Sequence, residues 1–206
     1  MGLIANNPLH LGGAVDAPGA DKAVRFMRLC NDFGLPILSL CDTPGFMVGP
    51  QAEEAGQVRA SAAMFVAAAK LRVPVFTVVL RKGYGLGAQS MAAGCFHAPL
   101  FIVAWPTGEF GGMGIEGAVR LGYRRELEAI DDPAERQRFF EDRVEHLYDV
   151  GKAVNMEAAM EIDAVIDPAE TRSWIVRGLQ AAGMRDLRHE ADDPSSGPGR
   201  QRASRL

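Results

Sequence analysis

Apolar positions in this chain gather into short runs led by proline and separated by glycine-rich segments. Ile37 to Cys41 follows Pro36, Val75 to Leu80 follows Pro74, and Leu100 to Trp105 follows Pro99. Each run has the length of a strand, and continuous rather than alternating apolar character marks a strand buried on both faces. A proline at the start of a strand removes no ladder donor that the strand needs. Between these runs the spacing becomes helical. Lys22 to Asp32 sets Ala23, Phe26, Met27 and Cys30 on one face, with Asp21 as the predicted N-cap and Gly34 as the stop. Glu53 to Leu71 is an alanine-rich predicted helix, expected to be buried because small residues permit close approach on several sides. Gly2 to Asn6 and Gly13 to Asp16 read as two short strands around a turn at Asn7-Pro8.

One unit therefore recurs: helix, proline-led strand, glycine loop, helix. This predicts an α/β fold in which parallel strands stack, helices pack outside them, and loops gather at the C-terminal strand ends, where α/β proteins place their sites. Unequal spacing of the prolines leaves a doubly wound sheet as the alternative topology. Beyond Gly122 the chain becomes charged. Tyr123 to Asp149 is predicted helical with a restart at Asp132-Pro133, and its second part carries Phe139, Phe140, Val144 and Leu147 as one apolar stripe. Its charges read as a solvated face. Helices are expected at Asn155 to Ile162 and Thr171 to Ala182. The domain is expected to span residues 1–183. Residues 184–206 contain almost nothing apolar and are expected to form a disordered tail.

Composition narrows the function. A net charge of −4 offers no basic surplus for neutralising phosphates, which argues against nucleic acid as a partner. The longest apolar runs are strand-sized, so no membrane span is expected. Met1-Gly2-Leu3-Ile4 lacks a basic leader, and the three cysteines, Cys30, Cys41 and Cys95, are isolated; a cytoplasmic protein with reduced thiols is expected. The four histidines are scattered at no metal-ligand spacing, so no metal site is expected. Ser61 and Ser90 lack a nucleophile elbow. Asp42-Thr43-Pro44-Gly45 resembles a GTPase switch, but no phosphate-binding G-x-x-x-x-G-K-[ST] accompanies it.

What remains is glycine, 23 residues of 206, well above the usual ~7%. After the Val75 run comes Gly83-Tyr84-Gly85-Leu86-Gly87, then the small-residue segment Ala88 to Ala93, which can start a helix. A strand that breaks on glycines into a helix N-terminus points bare N–H groups at one spot, suited to an anion or to an oxygen that becomes negative during reaction. A dinucleotide fingerprint fits poorly, because position 88 is alanine and no acidic residue closes the next strand.

Four stretches, CDTPGFMVG, LRKGYGLGAQSM, AWPTGEFGGMGIEGAV and IDAVIDPAETR, together resemble the carboxyltransferase component of biotin-dependent acyl-CoA carboxylases. The opening GLIANNPLHLGGAVDAPGADKAVRF is similar to the start of that family's C-terminal half, and the likeness runs from about Gly2 to Leu179. The resemblance implies a crotonase-like superhelix of ββα units. It implies transfer of a carboxyl group from carboxybiotin, carried on a partner protein, to the α-carbon of an acyl-CoA, with two backbone oxyanion holes stabilising the two enolates. The biotin-side hole then falls on the N–H groups of Leu86 and Gly87. The flanking substrate-binding residues would be Gly45, Phe46, Tyr84, Gly85, Ala88, Gln89, Gly112, Met113 and Gly114. Where the family commonly reads Y-G-G-A-Y-D, this chain reads Tyr84-Gly85-Leu86-Gly87-Ala88-Gln89; Gln89 replaces an acidic residue at a position associated with acyl-chain choice. The implied partners are an acyl-CoA-binding N-terminal-half subunit, a biotin carboxyl carrier protein and biotin carboxylase, in a homo- or hetero-oligomer. Without the N-terminal half the chain is expected to be inactive. A biotin-linked decarboxylase and a non-catalytic assembly module fit the same residues.

Overall fold

The computed structural model describes residues 1–183. Strands β1 (Gly2–Ala5), β2 (Ile37–Thr43), β3 (Val75–Tyr84), β4 (Phe101–Ala104) and β6 (Ala164–Val165) lie side by side in that order. The short β5 (Glu109–Gly111) pairs with the far end of β3. Every pairing between these strands is parallel, and one isolated antiparallel bridge joins Glu109 to Lys152. Each new strand in the main path is added on the same side of the last. A doubly wound sheet reverses direction partway; this one does not, so the repeat is realised as a stack of strand–helix units.

Alternation explains why the strands read as continuous apolar runs. Ile37, Cys41, Val75, Val79, Ile102 and Ala104 point into a core with helices α1 (Ala17–Asp32), α3 (Gln57–Ala68) and α4 (Gly85–Met91). Leu38, Phe76, Val78, Phe101 and Val103 point the other way, where α9 (Thr171–Ala181) covers them with Trp174, Ile175 and Leu179. Full burial of one such side chain stabilises by about 1.5–3 kcal/mol. Both faces are therefore worth covering.

Several boundaries differ from the sequence expectation. Gly13 to Asp16 is no strand: Gly12 and Gly13 have φ of +64° and +92°, which extended backbone does not allow. A 3-10 turn at Leu11–Gly13 replaces it, and only Val15 bridges, to Phe46. Asp16, not Asp21, caps α1. Its Oδ1 accepts from the Gly19 N–H at 2.9 Å, and Pro18 sits in the first turn where no N–H is missed. The long helix expected from Glu53 is cut at Gly56, left-handed at φ +81°, into α2 (Pro50–Glu54) and α3. Nor is α3 buried all round: Ala60, Met64, Ala67 and Ala68 face inward while Val58 and Val66 face solvent. β3 continues four residues past Leu80. Its first half pairs with β4 and its second half with β5, which lies inside the expected loop.

The charged region folds as expected into α6 (Arg124–Ala129) and α7 (Pro133–Val150), preceded by α5 (Ile115–Gly122). Asp132 caps α7 through the Ala134 N–H at 3.0 Å. The Tyr123 ring packs edge-on against Phe139, and the Arg120 guanidinium lies over Phe140. α8 (Ala153–Ala158) returns the chain toward β6. No helix among the described residues is long and apolar enough to cross a membrane. The tail expected at 184–206 falls outside the described residues.

Candidate active site

Three loops meet where β3 turns into α4. The first leaves β2 at Thr43, whose hydroxyl accepts from the Gly45 N–H and donates to Gly45 O, both at 3.1 Å. The loop is tied to β3 by Asp42, a nearly buried carboxylate that accepts from Arg81 Nε at 3.3 Å, Arg81 Nη2 at 3.1 Å and the Lys82 N–H at 3.2 Å. Asn6 joins in, its Oδ1 accepting from the Asp42 N–H and its Nδ2 donating to Gly13 O. A buried carboxylate is tolerated here because donors meet both its oxygens. The Arg81 guanidinium is correspondingly held above its ordinary value, first by its bond to Asp42.

The second loop is the corner itself. Tyr84 ends β3, Gly85 takes φ +58°, and the helix begins. The N–H groups of Gly85, Leu86 and Gly87 lie in the first turn, where no helical carbonyl stands one turn earlier to receive them. Gly87 packs against the first loop so closely that a Cβ there would lie 2.6 Å from Gly45 C and 2.9 Å from Phe46 N. A Cβ on Gly85 would lie 2.7 Å from Gly112 O, which belongs to the third loop, the segment after β5. Only glycine permits either approach.

Of the residues expected at the site, Gly45, Phe46, Tyr84, Gly85, Gly87 and Gly112 are thus brought together. Leu86 sits beside them with its side chain 60% exposed, so substitution there can leave the packing alone. Phe46 is half-buried, its ring 6.4 Å from that of Phe65. Met113 is partly exposed, and Gly114 serves as the N-terminal flank of α5, accepting from the Ala118 N–H. Ala88 is fully buried in the core and Gln89 half-buried in the helix behind the turn.

The sequence singles out Tyr84 but not its polar neighbours Glu109, Glu116 and Tyr148. Tyr84, 3% exposed, donates its hydroxyl to Glu109 Oε2 at 2.9 Å, and Tyr148 donates to Glu116 Oε1 at 3.0 Å. Burial first, and then the Glu109 carboxylate, push the Tyr84 phenol well above its ordinary value; burial and then Glu116 raise Tyr148. Both therefore remain donors at neutral pH. β5 is too short for periodicity to reveal Glu109, and nothing local links Glu116 to Tyr148. The Thr43 turn was legible in principle, since a threonine two residues before a glycine is a turn signal.

The remaining polar groups lie apart. His10 pairs with Asp16 at 3.1 Å and His97 with Glu161 at 3.6 Å, both at the surface. Among the described residues no three His, Cys, Asp or Glu side chains could hold a metal ion. A cavity of about 850 Å³ opens beside β1 and the start of α1, lined by Ile4, Asn6, His10, Asp16 and Phe26 among others. Its lining includes the start of α1, where Pro18 has no N–H to offer and the Gly19 N–H is already taken by Asp16.

A one-directional parallel sheet with helices packed on both faces is a crotonase-like architecture. Residues 1–190 match the carboxyl transferase domain family, and the chain belongs to that family. It is 36% identical over 181 residues to the methylmalonyl-CoA carboxyltransferase 12S subunit of Propionibacterium freudenreichii subsp. shermanii, covering 87% of this chain and 34% of the relative. It is 38% identical, with the same coverage, to the carboxyltransferase subunit of propionyl-CoA carboxylase from Haloferax mediterranei. Among solved structures, a single-chain, multi-domain long-chain acyl-CoA carboxylase is 58% identical with a TM-score of 0.76, over 85% of this chain and 17% of that one. The transcarboxylase 12S hexamer with methylmalonyl-CoA superposes with a TM-score of 0.78 at 34% identity, over 89% of this chain and 35% of that one. The chain spans about a third of the length of the curated relatives it matches.

Proposed function

We propose that this chain is the biotin-side half of an acyl-CoA carboxyltransferase, with the N–H groups of Leu86 and Gly87 as its oxyanion hole. The observation that carries the reading is the convergence of Gly45-Phe46 and Gly112 on the first turn of α4, whose opening N–H groups have no helical carbonyl one turn earlier. Such donors suit the ureido oxygen of biotin, because they are fixed before reaction and need no reorganisation as charge develops. Biotin carboxylated on a carrier protein supplies the carboxyl group. The chain's own part is to hold the ureido oxygen, and to keep the hole in register through Gly85, Gly87 and the Thr43 turn.

The acyl-CoA site belongs to an N-terminal-half partner in this reading, with biotin carboxylase and the carrier completing the system. One feature supports a partner. The outer edge of β1 has no strand beside it among the described residues, and Leu3 on that strand is 56% exposed. An apolar strand edge without lysine, proline or a bulge invites pairing. Identity of 58% to the long-chain enzyme, against 36–38% to the methylmalonyl- and propionyl-type relatives, supports a longer acyl chain as substrate. The change to Gln89 is in keeping with that.

The test is transfer of labelled carboxyl from carboxybiotin to acetyl-, propionyl- and palmitoyl-CoA. The chain alone should transfer none, since proximity of both substrates supplies much of the rate. Adding an N-terminal half, from the long-chain relative or separately from a propionyl-type relative, should restore transfer, with palmitoyl-CoA used better in both pairings than by the propionyl-type enzyme itself. Robust turnover by the lone chain would overturn the half-enzyme reading; palmitoyl-CoA used no better than by the propionyl-type enzyme would overturn the substrate assignment.

A further inference from the structure

The segment Gly111-Gly112-Met113-Gly114 forms one wall of the corner, yet three of its four residues are glycine. Such a segment loses more backbone entropy on ordering than any other and does not hold a shape unaided. Each of its ends, however, is tied by a tyrosine–glutamate hydrogen bond. Before it, Glu109 of β5 accepts from Tyr84 at 2.9 Å; after it, Glu116 in the first turn of α5 accepts from Tyr148 of α7 at 3.0 Å. The first bond crosses two strands whose register, Lys82 with Glu109 and Tyr84 with Gly111, puts Tyr84 and Glu109 diagonally on one face. The Tyr84 ring then lies over Gly111, where a Cβ would be 3.5 Å from its Cδ1. A Cβ on Gly85, the next residue, would lie 2.7 Å from Gly112 O. The residue that ends β3 is thus in contact with the glycine wall and leads directly into the donor turn. The Tyr84 hydroxyl also lies close to Tyr148 and within the field of Glu116, so the two tyrosine–glutamate bonds belong to one cluster.

We infer that Tyr84 and Glu109 are positioning residues, which set the distance between the first turn of α4 and the Gly111–Gly114 wall, with Tyr148 and Glu116 holding the far end of that wall. The inference rests on the biotin-side reading for its purpose, but not for its geometry. Neither side chain is placed in contact with the reacting atoms; both act through the backbone they hold.

The test uses the full 206-residue chain, ¹⁵N-labelled, with biotin methyl ester as the probe. In the free protein, Tyr84→Phe and Glu109→Ala should both move the amide signals of Leu86, Gly87 and Gly112. Glu109→Gln keeps an acceptor for the tyrosine and should leave them near their wild-type positions. Probe binding, read at Leu86 and Gly87, should weaken about tenfold in the first two variants, the scale of one lost hydrogen bond to a charged group. It should be rescued in Glu109→Gln. If Tyr84→Phe fails to fold, the Ala and Gln variants at Glu109 carry the comparison. Unmoved Leu86, Gly87 and Gly112 signals in Glu109→Ala, or equal loss in Glu109→Ala and Glu109→Gln, would overturn the inference. A wild-type chain that ignores the probe would count against the biotin-side reading alone, since the free-protein signals still decide the positioning role.

Discussion

Gly87→Ala is the sharpest test of the corner. A Cβ at this position would stand 2.6 Å from Gly45 C, 2.7 Å from Gly45 Cα and 2.9 Å from Phe46 N, against 3.4 Å for the nearest ordinary contact. All three are backbone atoms, so no rotamer change relieves the clash. Either the Thr43–Phe46 turn moves by several tenths of an ångström or α4 does, and both are anchored. The turn is held by Thr43 and by the Asp42–Arg81 pair, the helix by Ala88, Ser90 and Met91 in the core. Overpacking of this kind costs about 1–3 kcal/mol. For a chain of this size that lowers the melting temperature by ~2–12 °C. Leu86→Ala, one residue earlier on an exposed side chain, should change stability by no more than ~0.5 kcal/mol. In the assembled enzyme, displacement of the hole in Gly87→Ala should lower kcat by ~10²–10³, the loss typical of one oxyanion donor. Leu86→Ala keeps its N–H and should stay within a few-fold. Differential scanning calorimetry and labelled-carboxyl transfer read the two effects. Equal behaviour of the two variants in both assays would refute the close packing of Gly87 on Gly45 and, with it, the backbone hole.

Two further expectations follow from titrating groups. Burial pushes the Asp16 carboxyl up, but the bonds from His10 and the Gly19 N–H outweigh it and hold the group below its ordinary 3.8. A lowered folded value stabilises above the unfolded one and loses that contribution as pH falls through the folded value. Asp16→Asn keeps an oxygen for the cap, so its melting-temperature deficit at pH 6 should shrink as the pH falls below the ordinary carboxylate value; a deficit constant with pH would show that only the cap matters. Among the thiols, burial and then Asp42 push Cys41 up to about 12, burial raises Cys30, and Cys95 is exposed. A disulfide reagent at pH 8 should titrate one thiol in the native chain and three in denaturant; fast reaction of a second native thiol would mean that β2 opens readily.

The amino-acid sequence by itself determined the elements that depend on neighbours in the chain. Proline-led runs located β2, β3 and β4, helical spacing located α1, and Asp132-Pro133 marked the start of α7, because periodicity and capping act within a few residues. It also carried the donor turn, since a strand that breaks on Gly85 and Gly87 has few backbone alternatives. The tertiary structure decided what depends on partners far away. Asp16 took the cap from Asp21 because the 3-10 turn at Leu11–Gly13 and the bridge from Val15 to Phe46 fix where the helix can enter. β5 forms because β3 runs on to Tyr84 and offers it one edge while Gly151 and Lys152 meet it on the other. Gly87 meets Gly45 across forty-two positions, and Tyr148 meets Glu116 across thirty-two. Contacts of that separation leave no period in the sequence; they appear only when parallel strands bring their C-terminal ends to one place.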